Sequence, residues 1–534
     1  MKTYKILYIS LFTLIGLSSC TEDLLNPVPK DRLAKDLFWQ TEQDAVYAST
    51  GVYALLGSQW RYCSMDTYTD MAHFVLQWRG ESGIEKNTFE SNNSVVLGDW
   101  QYYYQIIQAS SSFLENVDPI DMNGELKNRL KGEMKTLRAF AYINLVMLYG
   151  DVPLVTTTLT VDEAKAFTQT SVSSIWNFIT DELTAAAADL PLNYATSDYG
   201  RVTKGVALGL KAKAMLYAGN YQEAKTVAKA VMDLGVYAIH KSYAELFDYE
   251  GEQSSEIMFA RIFEKNATAT SNRHNIFQFF SVNSLFTQQC QSVPCKPLVD
   301  AYLMKSTGLP IDNPASGFNP RDPYNDRDPR LSHTIYVNGD ELVNGAILNT
   351  IPGSGTGDDI SSSAENVTPT GWYFKKWISA ADFGNPARCG VDLIYLRYAE
   401  ILLIYAEASI ELGGANIDQS VLDAMNAIRE RPDVNMPKVT TTDQSELREI
   451  VRRERMVELA MEGHRLYDIR RWRIAETVIP GTVKGMTYEN AVGALVTVEL
   501  SGYIKEFKAN QHYLWPIPYR ELTLNPNLKQ NPNY

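Results

Sequence analysis

The chain has 534 residues, 45% of them hydrophobic, and sets 63 acidic against 49 basic side chains for a net charge of −14. That balance argues against nucleic acid and against adhesion to anionic lipid, because both rely on clustered lysine and arginine that release counterions. It suits a soluble surface with one large core, and it leaves neutral ligands open.

The first residues read as a processing segment. Lys2 and Lys5 flank the start of an apolar stretch from Ile6 to Leu17, too short to cross a bilayer as a helix of about 20 residues. Leu17-Ser18-Ser19-Cys20 then resembles the lipobox of bacterial lipoproteins. Residues 1–19 are expected to be removed and Cys20 to carry lipid; an ordinary secretion signal with an incidental Cys20 is the alternative. At roughly 0.8 kcal/mol per buried methylene, several acyl chains anchor a protein without a transmembrane helix. The most apolar later stretch, Asp392 to Leu412, is interrupted by Arg397, Glu400, Glu407 and Glu411.

Helical periodicity predicts segments at 33–57, 99–118 and 125–149. In the last, Leu137, Phe140, Ala141, Asn144, Leu145 and Leu148 share one face, Gly150 follows as a C-cap and Pro153 prevents continuation. Further helices are predicted at 172–189, 203–217 and 221–235, then at 393–413, 418–430 and 443–462, where Asp443 and Glu446 resemble a capping box. Ala212 to Ala224, with Gly219-Asn220 at the turn, resembles a tetratricopeptide hairpin, and Tyr405 through Gly413-Gly414 to Ala427 is a second candidate. Between 236 and 392 Pro, Gly, Asn and Asp become dense, with short apolar runs such as Ile257 to Ile262 that suit small strands. Such loops on a rigid scaffold are where function usually sits.

Four segments together carry a family resemblance: Leu137 to Leu154, Tyr395 to Glu407, Arg452 to Trp472, and the tail from Leu514 to Tyr534. In this order, after a lipobox, they resemble the SusD/RagB family of outer-membrane lipoproteins of Bacteroidetes. The resemblance implies a mainly α fold with minor β: a tetratricopeptide-like hairpin scaffold bearing a loop-rich insertion. On that reading residues 20–235 form an N-terminal helical region, 236–392 the loop-rich region on the ligand face, and 393–534 a C-terminal region packed with the first as one integrated domain. It also implies a lid over a SusC-like, TonB-dependent barrel on the cell exterior. The lid would capture oligosaccharide, or in some members peptide, for import, without catalysis or cofactor. Glu22-Asp23 resembles the surface-export signal of such lipoproteins.

The charged constellations read as structural. Glu400, Glu407 and Glu411 align on one helix, whose apolar surroundings require them to be paired; the arginines between 452 and 473 offer partners. The six histidines are scattered, and no His-Glu-x-x-His or Gly-x-Ser-x-Gly motif occurs. Asp322, Asp326 and Asp328 suit turns, with calcium as the alternative. Cys63, Cys290, Cys295 and Cys389 read as reduced, small apolar residues, although Cys290 and Cys295 are close enough to staple a loop.

Aromatics are the informative residues for a sugar binder, because sugar C–H patches pack on ring faces while hydroxyls want forked planar partners. Tyr102 to Tyr104 and Trp472 fall within helix patterns and read as core. Those in irregular stretches are the ligand-binding candidates: Trp60, Tyr62, Tyr68, Phe74, Trp78 and Arg79; Phe277, Phe279, Asn283 and Phe286, near Phe280 and Gln288; and Trp372, near Tyr373 and Trp377. Trp78-Arg79, a stacking face beside a forked donor, is the foremost.

Overall fold

The structure is a computed structural model describing residues 38–57, 59–280, 282–285, 290–362 and 366–534, without the side chains of Gln59 and Trp60. The processing segment, Cys20, Phe286 and Gln288 lie outside the described residues.

Helix α1 (Glu42–Ala54) opens on a capping box made by Thr41 and Asp44. It is followed by α2 (Gln59–Thr67), strand β1 (Ala72–Phe74) and α3 (Gly80–Lys86). Helix α4 (Ser94–Asn116) starts five residues earlier than its periodicity predicts, because the Asn93 side chain accepts from the amides of Val95 and Val96 and caps it there. Helix α5 (Gly124–Tyr149) ends where Gly150 takes a positive φ of 73°. Then come α6 (Val172–Asp189), α7 (Lys204–Tyr217) and α8 (Tyr221–Met232). Each helix from α4 to α8 lies against the next, and α8 lies in turn against α9 (Tyr398–Leu412). Helix α9 also packs on α10 (Gln419–Arg429) and α11 (Gln444–Glu458).

The hairpins α7/α8 and α9/α10 are therefore neighbours in one continuous stack. All the chain from 233 to 397 is an excursion from it. One apolar cluster runs from Ala45 through Val231, takes in Met258, Phe259 and Phe263 from the excursion, and continues from Leu393 to Trp515, Ile517 and Leu528, so early and late segments of the chain share a core.

The predicted helix at 393–413 is corrected at its start. Leu393–Arg397 forms a fully buried strand, β4, antiparallel to β2 (Ile257–Arg261). A continuous apolar run carries no period that distinguishes strand from helix, and only the pairing decides. At α11, Asp443 caps the Glu446 amide, but the Glu446 carboxylate accepts from Thr441 Oγ1 instead of closing the box. Among the described residues the sheets are all two-stranded and antiparallel. They include β1 with β3 (Ser292–Pro294), and the hairpin of β5 (Gly481–Glu489) and β6 (Leu495–Lys505).

The excursion is fastened to the stack by buried charge. Arg397 spans Glu256 and Glu458, each at 2.8 Å, and Glu462 at 2.8 Å. Arg431 joins the same Glu256 and Glu458 at 2.8 and 3.0 Å. Arg330, from the excursion, reaches Asp328, Glu454 and Glu458 at 2.7, 2.5 and 2.7 Å. Lys376 closes on Glu462 at 2.8 Å. Three guanidinium groups converge on Glu458 and hold its carboxyl far below the usual carboxylate range, against the opposing effect of burial.

The aligned carboxylates of α9 are paired, though not all by the expected arginines. Glu407 is held by Arg471 of α12 (Arg465–Arg471) and by the Trp472 ring N–H, and Glu411 by Arg448. Glu400 instead faces Lys213 at 3.2 Å and His464 at 3.4 Å. Cys63, Cys290, Cys295 and Cys389 are free and buried, so the loop staple does not form. Asp328 is occupied by Arg330, and Asp326 accepts from Ser306; among the described residues no group of His, Cys, Asp and Glu is placed to hold a metal ion.

Candidate ligand-binding cleft

Strand β1 is buried at all of its positions and pairs with β3, and the chain comes to the surface between Leu76, still buried, and Trp78. The Arg79 amide closes the turn on the Leu76 carbonyl at 3.2 Å, and Ser82 Oγ donates to Gln77 Oε1 at 2.8 Å. This geometry throws the Trp78 indole outward, where it is 68% exposed. A ring of that size in water forfeits on the order of 2 kcal/mol of available burial and presents an aromatic face to solvent.

Trp78 and Arg79 edge a cleft of about 460 Å³ whose other walls are Arg61, Ser64 and Tyr68, the first turn of α3, and Ser94, Val95, Gly98 and Asp99 of α4. Arg61 and Ser64 stand three residues apart and so share one face of α2. Gly80 lets the starts of α3 and α4 approach, since a Cβ there would lie 2.7 Å from Ser94 Oγ.

Both guanidinium groups are fixed in place. Arg61 pairs with Asp99 and lies 4.1 Å from the centroid of the Tyr102 ring. Arg79 donates to Glu81 at 3.2 Å and to the Gln291 side-chain oxygen at 3.3 Å. Burial pushes the Tyr68 hydroxyl above its ordinary range, so it stays protonated as a donor. The arrangement offers one open aromatic face, two oriented forks of N–H donors and several hydroxyls, which is equipment for a polyhydroxylated ligand.

A larger concavity of about 580 Å³ lies between α4, residues 153–167 and the C-terminal segment. It has no ring as open as Trp78: Trp100 is 5% exposed, and Tyr104 spends its hydroxyl on the Pro153 carbonyl. It also lacks a guanidinium among its lining residues, so chemistry favours the smaller cleft.

The other aromatic candidates divide by burial. Tyr62 packs edge-on against Tyr395 in the core, and Phe74 anchors β1. Phe277 lies in the second apolar cluster, as does Trp372, whose ring N–H is bound by Tyr324 at 2.8 Å. These four are corrected from contact faces to core residues, because an irregular backbone does not keep a side chain in water. Phe279 is half-buried against the same cluster. The Asn283 side chain is taken up by the Gly357 carbonyl and Asn366. The excursion thus reaches the cleft through Gln291, behind Arg79. Periodicity did not single out Arg61, Ser64, Ser94, Asp99 or Gln291, which gather only by tertiary packing; the i, i+3 spacing of Arg61 and Ser64 was the available signal.

The cleft is also braced from the far end of the chain. The Gly463 amide donates to Asp66 of α2 at 3.4 Å, and Arg465 grips Asp70 at 2.7 and 2.9 Å. Lys505 Nζ donates to the carbonyls of Thr67, Thr69 and Ala72 at 3.2, 2.7 and 2.6 Å.

Residues 255–534 match the model of the SusD family, and residues 44–216 match a model described as starch-binding associating with outer membrane. The chain belongs to the SusD family. Among curated proteins it is 25% identical to SusD-like protein P25 of Formosa agariphila, over 99% of this chain and 98% of that one. Among solved structures it is similar to a SusD-like carbohydrate binding protein from Bacteroides fragilis, at 28% identity and a TM-score of 0.83, covering 92% of this chain and all (100%) of the other. A laminarin binding SusD-like protein shares the fold, at 22% identity and a TM-score of 0.73, over 93% of this chain and 100% of the other.

Proposed function

We propose that this protein captures oligosaccharide at the Trp78 cleft, tethered by lipid on Cys20 to the outer face of the outer membrane, and hands it to a SusC-like, TonB-dependent barrel. The observation that carries the reading is the exposed Trp78 ring set beside two guanidinium forks that neighbouring carboxylates hold still. Relatives named for carbohydrate binding support the ligand class, and the family model's description supports the location. No described helix is long and apolar enough to cross a membrane, which fits attachment by lipid. The two carboxylates of the cleft, Glu81 and Asp99, are each occupied by an arginine, so neither is free to hand a proton to a glycosidic oxygen, and the reading is capture without hydrolysis.

Calorimetry of the purified mature protein against a panel of plant, host and microbial oligosaccharides tests this. Binding that is lost in Trp78→Ala is the expected result. Silence across the panel, together with binding of peptides, would replace the glycan with a peptide. Cys20→Ala should release the protein from membranes in cells labelled with fatty acid, and the intact protein should co-purify with a large outer-membrane barrel.

A further inference from the structure

Cleft charge carries a consequence for which sugars fit. The charged side chains lining it are Arg61, Arg79, Glu81 and Asp99, and they form two pairs, Arg61 with Asp99 and Arg79 with Glu81. The side chains of Asp99 and Glu81 are 7% and 10% exposed, those of Arg61 and Arg79 25% and 32%. Each cation is thus cancelled at contact distance by an anion fixed behind it.

The two helix starts at the cleft are occupied as well, one by a neutral cap and one by the Glu81 that also pairs with Arg79. Helix α4 begins at the cleft, and a helix start attracts anions. Here the Asn93 carboxamide oxygen already accepts from the Val95 and Val96 amides. In the first turn of helix α3 the acid is this same Glu81, already paired with Arg79. Behind the cleft, Glu85 is engaged by His73 and Lys505, and Gln291 is neutral. The chain as a whole carries −14, which repels an acidic polymer at long range.

From this we infer that the cleft selects neutral oligosaccharides and rejects uronate-bearing or sulfated ones; the inference rests on the Trp78 cleft being the glycan site. An arriving carboxylate or sulfate that reached the remaining N–H donors would share an arginine with Asp99 or Glu81 and stand beside that fixed anion. A neutral hydroxyl accepts from a guanidinium N–H without bringing a second negative charge beside the paired carboxylate, since a guanidinium carries five donors in a fixed fork and its carboxylate takes only some of them. Selectivity against acidic sugars then comes from like-charge repulsion built into the wall, which discriminates more sharply than a merely missing contact.

Calorimetry on the mature protein, with neutral glucan, xylan and mannan oligosaccharides beside polygalacturonate and sulfated galactan oligosaccharides, tests this at low and high salt. The expected result is that a neutral ligand binds with an affinity indifferent to salt, while the acidic ones bind about tenfold more weakly or not at all. Glu81→Gln leaves the cleft one net positive charge and should raise affinity for the acidic probes severalfold, most at low salt. Salt-sensitive binding of an acidic oligosaccharide to the native protein, abolished in Trp78→Ala, would overturn the charge rule and leave the cleft standing as the site. Neutral binding that survives Trp78→Ala unchanged would overturn the cleft as the site, and this inference with it.

Discussion

Around Glu458 and around Trp78 the chain sets arginines against carboxylates, and the two places differ chiefly in how much water reaches them. Arg330, Arg397 and Arg431 are essentially sealed, and their three guanidinium groups share carboxylates with no room for exchange. At the cleft, Arg61 and Arg79 keep 25% and 32% of their side chains open, and each has one carboxylate behind it. Buried charge of the first kind fixes one arrangement of the excursion on the stack, because any other arrangement strands an ion in a low dielectric. Partly exposed charge of the second kind contributes little to folding, but on the proposed reading it holds donors at the orientation a ligand needs. The same side chains act as fasteners in one setting and as tools in the other.

Four substitutions break or sharpen that contrast. Glu458→Ala should cost the most, about 3–5 kcal/mol, because it leaves three buried arginines short of a partner; denaturant unfolding measures it. Acid should act in the same direction. The Glu458 carboxyl is held below its ordinary 4.5 in the folded state, so its contribution is complete above that pH and is lost progressively as pH falls below it. Trp78→Ala should weaken glycan binding by about tenfold or more while leaving the unfolding midpoint unchanged, since the ring is 68% exposed.

Asp66→Asn follows. Burial raises the Asp66 carboxyl to about 7 from 3.8, so as a native residue it costs stability progressively as pH climbs through that window, and fully above it. The variant should gain on the order of 1 kcal/mol above pH 7 and almost nothing below pH 3.8, which unfolding curves at the two extremes would compare. Glu81→Gln should change folding stability least, under about 1 kcal/mol. If it costs as much as Glu458→Ala, the cleft pairs are fasteners after all and the contrast fails.

Much of the helical scaffold is legible in the sequence because its cause is local. The 3.6-residue period of α5 and the Gly219-Asn220 turn of the α7/α8 hairpin each act within a few residues. Strand β4 is not legible, since Leu393 to Leu396 is apolar on both faces and only pairing with Ile257–Arg261 settles its form. The cleft is legible only in part. Trp78-Arg79 can be singled out on chemistry, as a ring beside a fork. Phe74, Phe277 and Trp372 sit in stretches with no period and are nevertheless core. Arg61, Asp99 and Gln291 come to the cleft from separate elements, and no spacing along the chain announces their meeting. Glu256, Glu458 and Glu462 are equally silent, because the arginines they serve lie as far away as Arg330.

The braces on the cleft from residues 463–505 bear on when the cleft comes into being. Asp66, Asp70 and the carbonyls of 67, 69 and 72 emerge early in synthesis, yet the groups that hold them, the Gly463 amide, Arg465 and Lys505, come close to the end of the chain. Closing loops of that length is an entropic cost met only once the distant partners exist. A partly made chain therefore has Trp78 and Arg79 without the contacts that brace the cleft around them. On the proposed reading, losing the segment from Gly463 to Lys505 would disable a glycan site whose lining residues all lie between Arg61 and Asp99.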